Sequence, residues 1–531
     1  MRYFARQCKM AFMKRPVRFF NTTGPCTPDK HYMLPPADRL QGAQLHRYVK
    51  DELYWSLHAP RQTGKTTFLQ NWAKELNATG KYTACYITIE TGQSASLEMG
   101  LPAICDVIKE TAEKQHLPIP EHKTSNPLQC LNSLLTDWAV KTAPKPLVVL
   151  FDEVDVLEGE TMISFLRQLR SGFADRGVGK FPVSITLVGL RDLKDYLVAS
   201  VDGRQPNPGS PFNIRQDSVS ISNFTKENIA QLFSQRTEET GQQIEPAALD
   251  YIWEQSQGQP WIVNNLFMRA TMQILDVDNY DTVTLAHIQK ARELIIQARE
   301  THLESVAFRL ELPRVRRVVE KLLTGEVDMQ LAQSDDFRLC LDLGLVTDNN
   351  GVMSIANPIY KEVLARDFSY GAQIMIQPPT FRWQKPDGTL DMNSLLKEFQ
   401  KFWRKHSEVW ESKSDYTEAF PHLLLMAFLQ RITNGEGHFD REYAAGRGRM
   451  DLLIEYKGTQ HILEIKLIRD YDKPEEIREE GIEQILSYRD KVGKNVPCYL
   501  LIFDRRSEGK KLLWEERITW NVDGEVTVVG C

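Results

Sequence analysis

The chain has 531 residues, of which 42% are hydrophobic and 26% charged. That is enough apolar material for about three cores at roughly 100–200 residues each, and it excludes a mostly disordered chain, a collagen-like repeat or a disulfide-stapled miniprotein. The formal net charge of −6 excludes a globally basic nucleic-acid-coating protein while leaving room for a local basic groove.

The start, MRYFARQCKMAFMKRPVRFF, is basic, and its apolar stretches are broken every few residues, so residues 1–30 read as a flexible or docking arm rather than a signal peptide. From Leu53 onward, short apolar runs alternate with helical stretches. The runs are LYWSLHA (53–59), YTACYITIE (82–90), PLVVLFDE (146–153) and VSITLVGL (183–190), with helices predicted at 66–78 and 162–174. Continuous apolar strands separated by helices predict a parallel sheet covered on both faces. Thr225 caps the first of several helices running to Arg299, a helical lid over 225–300. Residues 301–376 continue as helices followed by two short strands around Asn349-Asn350-Gly351, a winged-helix-like pattern. In RVRRVVEKLL (314–323) one helix face is basic, which suits either DNA contact or a solvated face. A proline-containing linker is placed at 377–392, and 393–531 return to mixed helix and strand. FWRKHSEVW (402–410) reads as helix packing rather than base stacking. The eight cysteines form no CxxC, and no apolar run approaches the ~20 residues that span a bilayer. A cytoplasmic protein with no membrane partner is expected.

Ala59-Pro60-Arg61-Gln62-Thr63-Gly64-Lys65-Thr66, followed by Thr67, lies between a predicted strand and a predicted helix. It matches GxxxxGK[ST] except that Ala59 replaces the first glycine. N–H groups at a helix start face phosphate oxygens, Lys65 reaches the outer phosphates and the Thr66 hydroxyl suits Mg²⁺. The strand LVVLFDE then ends in Asp152 and Glu153, an acid for the metal and an acid for the attacking water. The cofactors expected are ATP and Mg²⁺.

On these residues, the region 20–300 resembles the AAA-like P-loop ATPases of the STAND and origin-recognition group, with a core expected at 31–224. The resemblance implies that Arg191 is a sensor arginine, with an ion pair to Asp192 or Asp195 as the plainer alternative. It also implies that Pro260, in Gly258-Gln259-Pro260, abuts the nucleotide base. HYMLPPADR (31–39) resembles the segment that precedes the P-loop in such proteins. Arg167, Arg170 and Arg204 are candidates for an arginine finger, which would make a homo-oligomer part of the switch.

A second constellation lies in the tail. Asp451 opens one strand of a predicted hairpin, and Glu464 and Lys466 share a face of the other because strand side chains alternate. Two carboxylates beside a lysine can hold Mg²⁺ and a water next to a phosphodiester. Gln484 and Tyr488, four apart on a predicted helix, share its face. Glu418 is the candidate third carboxylate, with Glu442 its rival, and Gly446-Arg447-Gly448-Arg449 is a basic turn suited to a phosphate backbone or to solvent.

This order resembles the PD-(D/E)xK nuclease superfamily. Asp451, Glu464 and Lys466 match its D…ExK core, and Gln484/Tyr488 resemble the QxxxY of its RecB-like members. Met450 stands where proline is usual. The fold class expected is therefore α/β throughout: a P-loop parallel sheet, a helical lid, a winged-helix-like region and an α/β nuclease-like domain. The function implied is ATP binding and hydrolysis coupled to Mg²⁺-dependent cleavage of nucleic acid, DNA favoured, with defence or mobile-element biology as the family's usual company. The alternative is an ATP-switched scaffold whose tail binds without cutting.

Overall fold

The computed structural model describes residues 18–40, 44–90, 96–121, 126–190, 215–298, 301–324, 329–375, 383–411, 424–425, 428–429, 438–445, 448–468, 472–493, 495–504, 506 and 519–531. The chain divides into two compact units, Met1–Val315 with Asp328–Lys361, and Arg316–Val327 with Glu362–Cys531.

In the first unit the strands are β1 (Tyr54–His58), β2 (Thr83–Thr88), β3 (Leu147–Asp152), β4 (Ser184–Gly189) and β5 (Arg215–Ser220), in the order β2-β3-β4-β1-β5. All neighbours run parallel. The four apolar runs become β1 to β4. The edge strand β5 was not foreseen, because RQDSVS is polar and alternating, as an edge permits. Helix α1 (Lys65–Ala78) covers one face, where Phe68, Leu69 and Trp72 meet Trp55, Leu57, Val148 and Leu150. Helices α2 (Leu97–Lys114), α3 (Cys130–Thr142) and α4 (Gly159–Gly172) cover the other, against Val149, Phe151, Ile185 and Leu187. Val148 and Val149 thus enter opposite cores, as strand alternation requires.

The lid follows as α5 (Lys226–Thr240), α6 (Pro246–Ser256), α7 (Pro260–Met268) and α8 (Leu285–Ala298). Thr225 caps α5 in a capping box with Asn228, as its sequence position suggested. Gly258, between α6 and α7, has φ +72°, and a Cβ there would lie 1.9 Å from the Phe224 carbonyl oxygen. Neither the left-handed backbone nor the contact tolerates a side chain. Gly258→Ala is expected to cost about 3 kcal/mol or more and to lower the first thermal transition of the full chain by roughly 5 °C. An unchanged midpoint would mean that the Phe224 strand exit yields freely.

Next come α9 (Thr301–Phe308), α10 (Asp335–Asp342), the hairpin β6 (Val346–Asn349) and β7 (Val352–Ile355), and α11 (Pro358–Met375). Asn350 and Gly351, at φ +55° and +87°, make the tight turn read from the sequence.

The second unit holds a six-stranded mixed sheet in the order β12-β13-β11-β10-β9-β8. Its strands are β8 (His438–Ala445), β9 (Gly448–Tyr456), β10 (Thr459–Ile468), β11 (Cys498–Asp504), β12 (Trp520–Asp523) and β13 (Val526–Gly530). Helix α12 (Met392–Glu411) packs Leu395, Phe399 and Trp403 on one face. The aromatic residue Trp403 of the 402–410 run thus packs in the core. Helix α13 (Pro474–Val492) packs Ile485 and Tyr488 on the other, with Leu453, Ile462 and Leu500.

Candidate functional site

The P-loop leaves β1 at His58 and enters α1 at Lys65, with Gly64 at φ +99° as its N-cap. Ala59 is buried and is not among the residues with positive φ, so its missing glycine costs no backbone strain. Gln62 takes φ +58° instead. Lys65 Nζ donates to the carbonyls of Ala59 (2.6 Å) and Pro60 (2.8 Å). Burial pushes its ammonium down to about 8, against the opposing pull of Asp152 and Asp155.

The β3 carboxylates sit across from this lysine. Thr66 Oγ1 donates to Asp152 Oδ2 at 2.7 Å, and Tyr86 donates to the same oxygen at 3.3 Å. Burial raises the Asp152 carboxyl above its ordinary value, while the Thr66 hydrogen bond opposes this. A hydroxyl and a carboxylate oxygen this close are the hard donors that Mg²⁺ takes. Glu153 stands at φ +60°, and its Oε2 accepts a 2.8 Å hydrogen bond from Thr88. Asp155, raised by burial, lines the same space. Thr88, Tyr86 and Asp155 were missed in the sequence, because what brings the first two here is the β2–β3 register, in which Thr88 pairs with Asp152.

Together these groups line a cavity of about 490 Å³. Its far wall comes from the arm and the lid: Cys26, Leu34, Leu232, Pro260 and Asn264. The arm is anchored by Phe20, whose ring lies 4.8 Å from those of Tyr32 and Phe267, and by Trp261, which donates to the Thr22 carbonyl at 2.9 Å. Thr67, which also lines the cavity, accepts the Cys26 N–H at 3.1 Å. Arg39, buried, donates to the carbonyls of Thr63 (2.8 Å) and Ser222 (2.9 Å) and lies over the Phe224 ring. A Cβ on Gly64 would sit 2.8 Å from its guanidinium, so this arginine fills the space under the loop. Arg167 and Arg170 are exposed on α4. Arg191 and Arg204 lie outside the described residues.

In the second unit, β9 and β10 form a hairpin turned by Lys457 and Gly458, both at positive φ. The β9–β10 ladder ends at Leu463–Leu452, so Asp451 precedes and Glu464 follows its last pair along the chain. The side chains of Asp451, Glu442 and Arg449 are outside the description, as are Glu418, Gly446 and Arg447 altogether. Glu464 is 4% exposed, and Lys466 Nζ lies 3.9 Å from its Oε1. Lys466 also lies 3.3 Å from Glu480 Oε1, which accepts from Gln484 Nε2 at 3.0 Å. Gly481 lets α13 come this close: a Cβ there would be 2.7 Å from Leu500 and 3.3 Å from the Lys466 stem. Glu464, Lys466 and Gln484 are thus brought together with Glu480, which was not singled out. Tyr488 packs in the apolar cluster one turn further along α13. Among the described residues no group of three or more His, Cys, Asp or Glu is arranged to hold a metal. Nor is any of their helices long and apolar enough to cross a membrane.

The model of an AAA-like domain matches residues 43–366, and that of the PD-(D/E)XK nuclease superfamily matches 416–504. No curated protein sequence matches the chain. Among solved structures, a Walker-type ATPase of Pyrococcus abyssi is similar at 13% identity and a TM-score of 0.46, over 65% of this chain and 99% of that one. The ORC2 protein of Aeropyrum pernix is similar at 14% identity and 0.34, over 61% and 92%. The RuvB Holliday junction branch migration motor of Thermotoga maritima stands at 14% and 0.33, over 60% and 90%.

Proposed function

The chain belongs to the AAA-like domain family and carries a PD-(D/E)XK nuclease-superfamily domain behind it, and from that premise we propose that it binds and hydrolyses ATP and uses its nucleotide state to control Mg²⁺-dependent cutting of nucleic acid, DNA by preference. The observation that carries the reading is the convergence of Lys65, Thr66, Asp152 and Glu153 on one cavity of nucleotide size.

Lys65 exchanges its two loop carbonyls for outer phosphate oxygens, and the N–H groups opening α1 take the remainder. Thr66 and Asp152 hold Mg²⁺, and Glu153 orients the attacking water once Thr88 releases it. In the tail, Glu464 and Asp451 hold Mg²⁺, Lys466 stabilises charge on the phosphate, and Glu480 with Gln484 holds Lys466 in place. At both sites the metal, when bound, neutralises phosphate charge and acidifies a water. In this proposal the helices over 225–300 act as the lid that closes on the base. A homo-oligomer with one of the arginines in trans, a cytoplasmic location, and defence against foreign DNA complete the reading.

The base side has its own test. Asn264 is buried and its Nδ2 donates to the Pro260 carbonyl at 2.8 Å, which fixes the amide orientation. Its Oδ1 is a buried acceptor without a partner. Adenine offers a donor at N6, whereas guanine offers a second acceptor. Wild type is expected to prefer fluorescent ATP over the matching GTP analogue by about 10–100-fold, and Asn264→Leu to erase that preference by weakening ATP alone. An equal loss for both nucleotides would remove Asn264 from base selection.

A further inference from the structure

Two of the buried cysteines meet each other. Cys105 lies midway along α2 and Cys130 opens α3, and their side chains share a hydrogen bond within the apolar cluster that these helices form against the sheet. The other described cysteines, Cys26, Cys85, Cys340, Cys498 and Cys531, have no thiol beside them. Helices α2 and α3 form the crossover from β2 to β3, the strands that end at Thr88 and Asp152.

The two sulfurs are not equivalent. Cys130 is the first residue of its helix, where the aligned peptide dipoles favour negative charge. The hydrogen bond from Cys105 and the N–H groups of Leu131 and Cys130 hold its thiol below the ordinary value, against burial. The same hydrogen bond, together with burial, holds the Cys105 thiol above it. One sulfur is thus suited to attack as a thiolate, and the other waits beside it as a thiol. Both helices belong to the outer layer of the unit: Asp106, next to Cys105, and Leu128, just before α3, are well exposed. A local opening of that layer is enough to admit a molecule the size of peroxide.

We propose that Cys105 and Cys130 are a peroxide-reactive pair that closes to a disulfide across the β2–β3 crossover. The Cys130 thiolate attacks one oxygen of hydrogen peroxide, the O–O bond breaks, and the departing hydroxide takes a proton and leaves as water, giving a sulfenic acid. The Cys105 sulfur then attacks the sulfenic sulfur, the S–O bond breaks, and the thiol proton leaves with the hydroxyl as a second water. Each sulfur gives up one electron overall, and the peroxide takes both. The pair stands independently of the nucleotide and nuclease readings above.

The test treats the reduced full chain with hydrogen peroxide below its first thermal transition and maps linked peptides by tandem mass spectrometry. A Cys105–Cys130 link is expected in the folded protein, reversed by dithiothreitol, with the first thermal transition raised by about 5 °C because the bridge closes a loop in the unfolded chain. Cys85, buried in the same cluster without a thiol partner, is the internal control and should stay reduced. Cys105→Ala should stop at a Cys130 sulfenic acid that dimedone captures, and Cys130→Ala should leave Cys105 unreacted. Melting curves of the reduced variants check that they fold, and the wild-type map decides the matter without them. No Cys105–Cys130 link in wild type, a link that forms only in denaturant, or oxidation of Cys85 to the same extent overturns the pair.

Discussion

Lys466→Ala is expected to lower Mg²⁺-dependent cleavage of labelled DNA by the full chain by about 10³-fold. The lysine is 18% exposed and lies between two carboxylates, Glu464 at 3.9 Å and Glu480 at 3.3 Å. Its stem passes beside Gly481, so its head is held rather than freely rotating. A fixed cation next to the scissile phosphate stabilises charge that exists only in the transition state, and groups of that kind are worth about 10²–10³ in rate, more when a metal-bound water also depends on them. Glu480→Gln keeps the shape and removes one charge, so a loss of about tenfold is expected, read as a fall in kcat with KM little changed. The variants need a check by thermal melting, because Lys466→Ala leaves Glu464 buried without its cation. If wild type and both variants are equally silent on DNA and RNA, with and without ATP, the tail only binds, and the scaffold alternative takes over.

The second large effect belongs to Lys65. Lys65→Ala should weaken binding of a fluorescent ATP analogue by about 10²-fold and remove hydrolysis, since the ammonium is the cation nearest the expected outer phosphates. Its pH dependence is a sharper signature. In the free protein burial sets Lys65 at about 8. The phosphates of bound nucleotide favour the charged form and raise that value, so the complex holds a proton that the free protein loses above about pH 8. Affinity is then level below pH 8 and falls as pH rises beyond it, by at most tenfold per unit, with proton uptake on binding. Titrations from pH 7 to 9.5, in buffers of different ionisation enthalpy, read both quantities. A flat profile in wild type, or a falling one in Lys65→Ala, would mean that the lysine does not meet the phosphates.

How much of this was legible in the sequence divides along physical lines. Local chemistry was readable. The strand runs, the Gly64-Lys65-Thr66 helix start, the Thr225 cap and the two tight turns at Asn350-Gly351 and Lys457-Gly458 depend on neighbours a few residues away. So did the shared face of Glu464 and Lys466. Partners set by topology were not readable. Thr88 meets Glu153 because β2 lies beside β3, and Glu480 meets Lys466 because a glycine lets α13 approach the sheet. Arg39 belongs to this class too: HYMLPPADR was recognised as a segment, but its arginine's place beneath Gly64 follows from how the arm crosses the loop. Tyr488 lies one turn beyond Gln484 on α13, as a spacing of four requires, with its ring in the apolar cluster.

The aromatic anchoring of the arm has a consequence for synthesis. Phe20 precedes the sheet in the chain, yet two of the rings that receive it, Phe233 and Phe267, belong to helices made after all five strands. A nascent chain can therefore assemble β1 to β5 while Phe20 has only the Tyr32 ring beside it, and the lid's share of the cavity wall is missing until the lid emerges. On the nucleotide reading proposed above, a nascent chain should hold ATP only near the end of the lid's translation.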